Sequence, residues 1–149
     1  MRTQRYTIHI GAPPQIVWDT MLSHGSYEEW TTAFSIGSTY EGRWETGARI
    51  RFFATDGHGV ISEVAESRPP EHVSIRHLGM LVEGVEDFDS PAVKAWAPAY
   101  EHYTIRPTVG GSELSVVIDI APESASPMSE MWTKALAKLK SMCEARVAG

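Results

Sequence analysis

The chain has 149 residues, a hydrophobic fraction of 42% and a formal net charge of −6. Those values describe one ordinary globular domain, long enough to bury a core without staples. With no cluster of Lys or Arg outside the last helix, it lacks the basic face that nucleic acid would need.

No apolar run approaches membrane-spanning length, and the basic start Met1-Arg2-Thr3-Gln4-Arg5 lacks the apolar stretch of a signal peptide. A cytoplasmic location is the expectation. The one cysteine, Cys143, excludes an internal disulfide and falls on an apolar helix stripe, where a packed, inert thiol is expected.

Tyr6, Ile8 and Ile10 alternate with Thr7 and His9, the two-residue period of a half-buried strand. Gly11-Ala12 breaks that run, and Pro13-Pro14 opens a helix where a missing N–H costs nothing. Its Val17, Trp18, Met21 and Leu22 share one face. Ser26-Tyr27-Glu28-Glu29 has the form of a capping box and starts a second short helix through Trp30. Residues 31–47 read as loop plus an edge strand. Ala48 to Thr55 reads as a strand, Asp56-Gly57 as a hairpin turn, and His58 to Glu66 as its partner. Glu71 to Leu78 forms another strand. Gly79 to Pro98, acidic and turn-rich, reads as the least regular part.

Ala99 to Val109 resumes as a strand, Gly110-Gly111 turns it, and Ser112 to Ile120 pairs back. In that last strand Val116, Val117 and Ile118 predict cover on both faces. Ser126-Pro127 then supplies a cap and first turn. Met128, Met131, Trp132, Ala135, Leu136, Leu139, Met142 and Cys143 step by three and four along a long amphipathic helix. The order predicts an α+β fold: an antiparallel sheet of about six to seven strands, two short helices after strand one, and a long terminal helix. A twisted sheet of that size should curl around the helix and leave a concave apolar space, the default place for a ligand.

Tyr6-Thr7-Ile8-His9-Ile10-Gly11-Ala12-Pro13-Pro14-Gln15-Ile16-Val17-Trp18 resembles the opening of the START-like, or SRPBCC, helix-grip (Bet v 1-like) superfamily. Gly42-Arg43-Trp44-Glu45-Thr46-Gly47 is similar to its Trp-x-x-Gly segment, and Glu101-His102-Tyr103-Thr104 resembles its Glu-x-Tyr strand. Met131 to Lys140 looks like its terminal helix. The likeness covers essentially residues 1–149 as one domain, nearest to the branch related to activators of the heat-shock-protein (Hsp90) ATPase. The resemblance implies a curved sheet gripping a helix around a cavity. Members bind lipids, hormones or aromatic polyketides, and some cyclise or hydrate substrates.

No tight His or Cys spacing occurs among His9, His24, His58, His72, His77 and His102, so no metal and no cofactor are expected. No Gly-x-Ser-x-Gly elbow appears, and no Ser has an obvious partner in the sequence. Strand parity is more informative. Glu101, Tyr103 and Ile105 share a face that Ile105 ties to the core, and His77 shares a face with Val73 and Ile75. Glu101, Tyr103 and His77 are therefore the candidate polar groups, able to bind a ligand or move protons. Phe52, Val60, Val64, Ile75, Trp96, Tyr103, Val116, Ile118, Trp132 and Leu136 are the candidate ligand-lining residues. Trp30, Trp44 and Trp96 are placed at the cavity rim, and Glu83, Glu86 and Asp87 near the entrance would disfavour anions.

The expected function is binding of a small hydrophobic or amphipathic molecule. Resemblance leaves two alternatives: cyclase-like acid–base chemistry on a cavity carboxylate, and a chaperone-ATPase activator module. Oligomeric state stays open, with a homodimer among the options.

Overall fold

The computed structural model describes residues 2–121 and 125–148. Strand β1 (Arg2–Ile10) follows the alternating stretch, and helix α1 (Pro14–Leu22) starts behind an extended Pro13. Helix α2 (Ser26–Trp30) is capped at Gly25, whose backbone N–H donates to the Glu28 carboxylate. The capping pair thus sits one residue earlier than Ser26 and Glu29. A single 3₁₀ turn (Thr31–Ala33) follows. Then come β2 (Thr39–Gly42), β3 (Arg49–Phe53), β4 (Gly59–Arg68), β5 (His72–Val82) and β6 (Val85–Asp87). Helix α3 (Pro91–Trp96), β7 (Ala99–Thr108), β8 (Gly111–Ile120) and the terminal helix α4 (Ala125–Ala148) complete the order.

The strands form one antiparallel sheet in the order β1-β8-β7-β5-β4-β3-β2, with β6 paired to the end of β5. Because β1 and β2 are opposite edges, the segment holding α1 and α2 crosses from one edge of the sheet to the other. Two bulges bend the middle of the sheet. Ile61 pairs with Gly79 while Ser62 pairs with His77, so Leu78 is an extra residue in β5. Val64 pairs with Ile75 and Glu66 with Ser74, so Ala65 is extra in β4. Such insertions tighten twist and turn the strand.

The segment from Gly79 to Pro98 is more regular than its composition predicts. β5 runs through Gly79 because the bulge at Leu78 resets the alternation rather than ending the strand. Gly79 is required there by close approach: a Cβ would lie 2.6 Å from a ring carbon of Phe88. Helix α3 is announced by Ser90-Pro91, with the Ser90 hydroxyl accepting from the Val93 N–H at 3.3 Å. In β8, Val117 is only half-buried while Val116 and Ile118 are buried. The strand therefore alternates, and the expected cover on both faces is absent. Helix α4 already includes Ser126 and Pro127 in its first turn, and its cap lies outside the described residues.

Trp132, Ala135, Leu136, Leu139 and Cys143 are buried at helical spacing and form one core with Ile10, Val17, Val64, Val73 and Val116. Helix α4 rests on β1, α1, α2 and the 3₁₀ turn. It leans toward the β1 edge, and a hollow remains over β3, β4, β5 and β7. Among the described residues, no helix is long and apolar enough to cross a membrane.

Candidate functional site

The hollow between sheet and helices has a volume of about 260 Å³. Phe52, Val60 and Ile75 from the strands face Met21, Leu22 and Trp30 from the first helices, with Met128, Met131 and Trp132 of α4 alongside. A wider vestibule of about 770 Å³ lies between α3, the ends of β5 and β8, and the start of α4. The two share Val60, His77, Glu101, Met128 and Met131, which makes those residues the neck between them.

Three adjacent strands build the polar part of that neck. Ser62 on β4 lies directly across from His77 on β5. Glu101 on β7 pairs with Ile75, which makes it a diagonal neighbour of His77 on the same face. Tyr103, two residues along β7, shares that face. The side chains form one chain of contacts. Ser62 Oγ is 2.6 Å from His77 Nδ1, and His77 Nε2 is 2.9 Å from Glu101 Oε1. The Tyr103 hydroxyl donates to Glu101 Oε2 at 2.6 Å. With the imidazole neutral, Ser62 donates to Nδ1 and Nε2–H donates to the carboxylate, so each polar atom is satisfied.

Burial works to raise the Glu101 pKa, but its contact with His77 and the hydrogen bonds from His77 and Tyr103 outweigh it. The carboxyl is held below its ordinary 4.5. Burial and then the Glu101 charge push the Tyr103 phenol well above 10.0, so it stays an O–H donor. The ring of His77 is held as firmly as its nitrogens. Trp96 stacks on it at 5.5 Å and 14°, and Phe52 meets it edge-on at 6.3 Å and 81°. His77 is 5% exposed, whereas the Glu101 side chain keeps 26% of its surface, open to the two hollows. The carboxylate is therefore the group a ligand would meet.

Strand parity thus brings Glu101, Tyr103 and His77 together. Phe52, Val60, Ile75, Tyr103 and Trp132 line the inner hollow, and Trp96 and Ile118 line the vestibule. Val64, Val116 and Leu136 line neither. They share the inward face but are buried in the solid core. Trp96 ends α3, and Trp44 is half-buried beside the hollow. Trp30 belongs to its wall rather than its rim: it is 3% exposed, with Nε1 donating to the Met21 carbonyl at 3.0 Å. Glu83, Glu86 and Asp87 sit at the β5–β6 hairpin and line neither hollow; the acids that line the vestibule are Glu101 and Asp119.

Ser62 is the member that sequence reasoning missed. It is 0% exposed and has a clear partner in His77, contrary to the expectation that no Ser is paired. A polar residue at an inward position between Val60 and Val64 was the available signal. Ser62 lines neither hollow and cannot act as a nucleophile from there; it orients the imidazole. Trp132 Nε1 is buried on the wall of the inner hollow without a hydrogen-bond partner.

No protein-family model and no curated protein matches the chain. Solved structures do. MLL2253 of Mesorhizobium loti aligns with a TM-score of 0.74 at 21% identity, covering 97% of this chain and 98% of that one. The Aha1 dimer of Colwellia psychrerythraea aligns with a TM-score of 0.68 at 18% identity, covering 97% and 96%. DynU16, from the dynemicin biosynthetic locus, aligns with a TM-score of 0.71 at 17% identity. That match covers 95% of this chain but 47% of DynU16. At these identities the likeness is one of fold alone: a curved antiparallel sheet with short helices after the first strand and a long C-terminal helix.

Proposed function

We propose that this domain binds a small hydrophobic or amphipathic molecule in the hollow between the sheet and α4. One observation carries the reading: an apolar cavity of about 260 Å³ opens past a single satisfied polar chain into a wider vestibule. Concave apolar space with a few placed polar groups is what small-ligand sites are made of, and this volume lies just below the drug-sized range. Phe52, Val60, Ile75 and Trp132 supply the apolar contacts, and Glu101 with Tyr103 and His77 supplies orientation. Thermal unfolding against a panel of small lipids and aromatics tests it. A ligand at about 100 times its Kd adds ~2.7 kcal/mol to stability, a readily measured rise in melting temperature. A panel that leaves the melting temperature unmoved would count against the binder.

A second reading, acid–base catalysis, is favoured by the hydrogen bond between His77 and Glu101 at the neck. Glu101 would accept a proton from a bound, weakly acidic carbon or hydroxyl, with His77 and Tyr103 holding its carboxylate in place. Here Glu101→Gln abolishes turnover of an enolisable ligand while its affinity remains. Unchanged turnover removes Glu101 from the chemistry.

A further inference from the structure

The charges and ring faces around the inner hollow select among hydrophobic ligands. Among the described residues, no Lys or Arg lines either the hollow or the vestibule. The carboxylates present are Glu101 at the neck and Asp119 in the vestibule. The basic side chain within 4 Å of Glu101 among the described residues is the His77 imidazole, at 2.9 Å. Aromatic side chains dominate the wall behind that carboxylate: Tyr27, Trp30, Phe34, Phe52, Tyr103 and Trp132. Their faces point in several directions. Phe34 meets Trp132 at 4.9 Å and 71°, Tyr27 meets Trp30 at 5.9 Å and 79°, and Trp30 lies tilted to Trp132 at 6.4 Å. Aromatic faces carry negative potential, and a ring-walled space closed by a carboxylate is the arrangement that holds organic ammonium groups.

We infer that the inner hollow takes a small protonated amine with an apolar ring body, its ammonium N–H donating to Glu101 at the neck. The inference rests on the cavity reading above and goes beyond it by assigning a charge to the ligand. Fatty acids and other apolar anions are disfavoured, because their carboxylate would meet Glu101 with no Lys or Arg beside it. The ring body lies deeper, among Trp30, Phe34 and Trp132. Trp44 Nε1 and Trp132 Nε1 are both unpartnered donors of the wall, and Trp132 Nε1, beside the ring body, takes an oxygen of the ligand rather than its ammonium. Glu101 keeps its charge on arrival of the amine, since His77 and Tyr103 already stabilise the ionised form.

The test uses three molecules of one skeleton with different charge, phenethylamine, phenylethanol and phenylacetate, with toluene as an uncharged reference. Binding to the intact protein is measured by calorimetry at neutral pH. Phenethylamine should bind about tenfold or more tighter than phenylethanol, with phenylacetate weakest. In Glu101→Gln the advantage of the amine over the alcohol should collapse to about twofold or less, while toluene is unaffected. If the amine binds no better than the alcohol, the inference fails while the cavity reading stands. If toluene and all three probes fail to bind, both fall. Phenylacetate binding as tightly as the amine also overturns the inference, and that wild-type ranking decides alone should Glu101→Gln not fold.

Discussion

Ser62 and Glu101 illustrate two kinds of polar residue in this core. Ser62 is sealed away and its hydroxyl has one task, to satisfy His77 Nδ1 at 2.6 Å. Ser62→Ala leaves a buried imidazole nitrogen without a partner, which should cost about 1–3 kcal/mol by chemical denaturation. Ser62→Thr, which keeps a hydroxyl, should recover part of that loss. Glu101 contributes through its charge. Its carboxyl is held below the ordinary 4.5, so the folded state favours the ionised form. The stabilisation is complete above the unfolded-state value near 4.3 and disappears as pH falls through the lower folded-state value. Glu101→Gln should therefore be destabilised relative to the wild type at neutral pH. The gap should narrow below pH ~4 as the wild-type carboxyl protonates. Parallel denaturation curves across that range provide the check, and a gap independent of pH would contradict the assignment.

Among the elements, the terminal helix does two jobs with neighbouring residues. Trp132 packs against Tyr6 at 5.8 Å on one side and lines the hollow on the other. Leu139, two turns on, is 0% exposed and lines neither the hollow nor the vestibule. Leu139→Ala should cost about 2–5 kcal/mol of stability through lost burial and a new cavity. Its affinity for whichever probe binds the wild type should be unchanged at a temperature where the variant is folded. Trp132→Ala should damage both. The contrast between the two variants separates bracing from lining within one helix, something the periodic apolar stripe could not distinguish. Similar reasoning applies to β5: its bulge at Leu78 returns Met80 to the vestibule side, where it joins His77.

For the whole molecule, the core that joins β1, β7, β8, α1, α2 and α4 is continuous. Sheet and terminal helix have no separate core on which to remain folded alone. Unfolding should accordingly be one cooperative transition. Tryptophan fluorescence, reporting Trp18, Trp30 and Trp132 inside that core, and far-ultraviolet circular dichroism, reporting the sheet and helices, should give coincident midpoints. A fluorescence transition that precedes the loss of secondary structure would show that the helices around the hollow detach first.

Much of this was legible in the residues. The alternation of β1, the Pro13-Pro14 helix start and the three-and-four stripe of α4 are local patterns, because backbone geometry imposes their periods whatever the surroundings. Parity alone put Glu101 and Tyr103 on one face and His77 on an inward one, for the same reason. Other features depended on what lies across from a residue. The bulge at Leu78, the role of Gly79 beneath Phe88, and the pairing of Ser62 with His77 are set by neighbours in space, to which no local period refers. The half-open face of Val117 is set the same way. The division of inward apolar residues was tertiary too: Val64, Val116 and Leu136 became solid core while Val60, Ile75 and Trp132 came to border empty space. That outcome followed from where α4 leans on a bent sheet, since side chains fill the interior where helix and strands are close and cannot where they diverge.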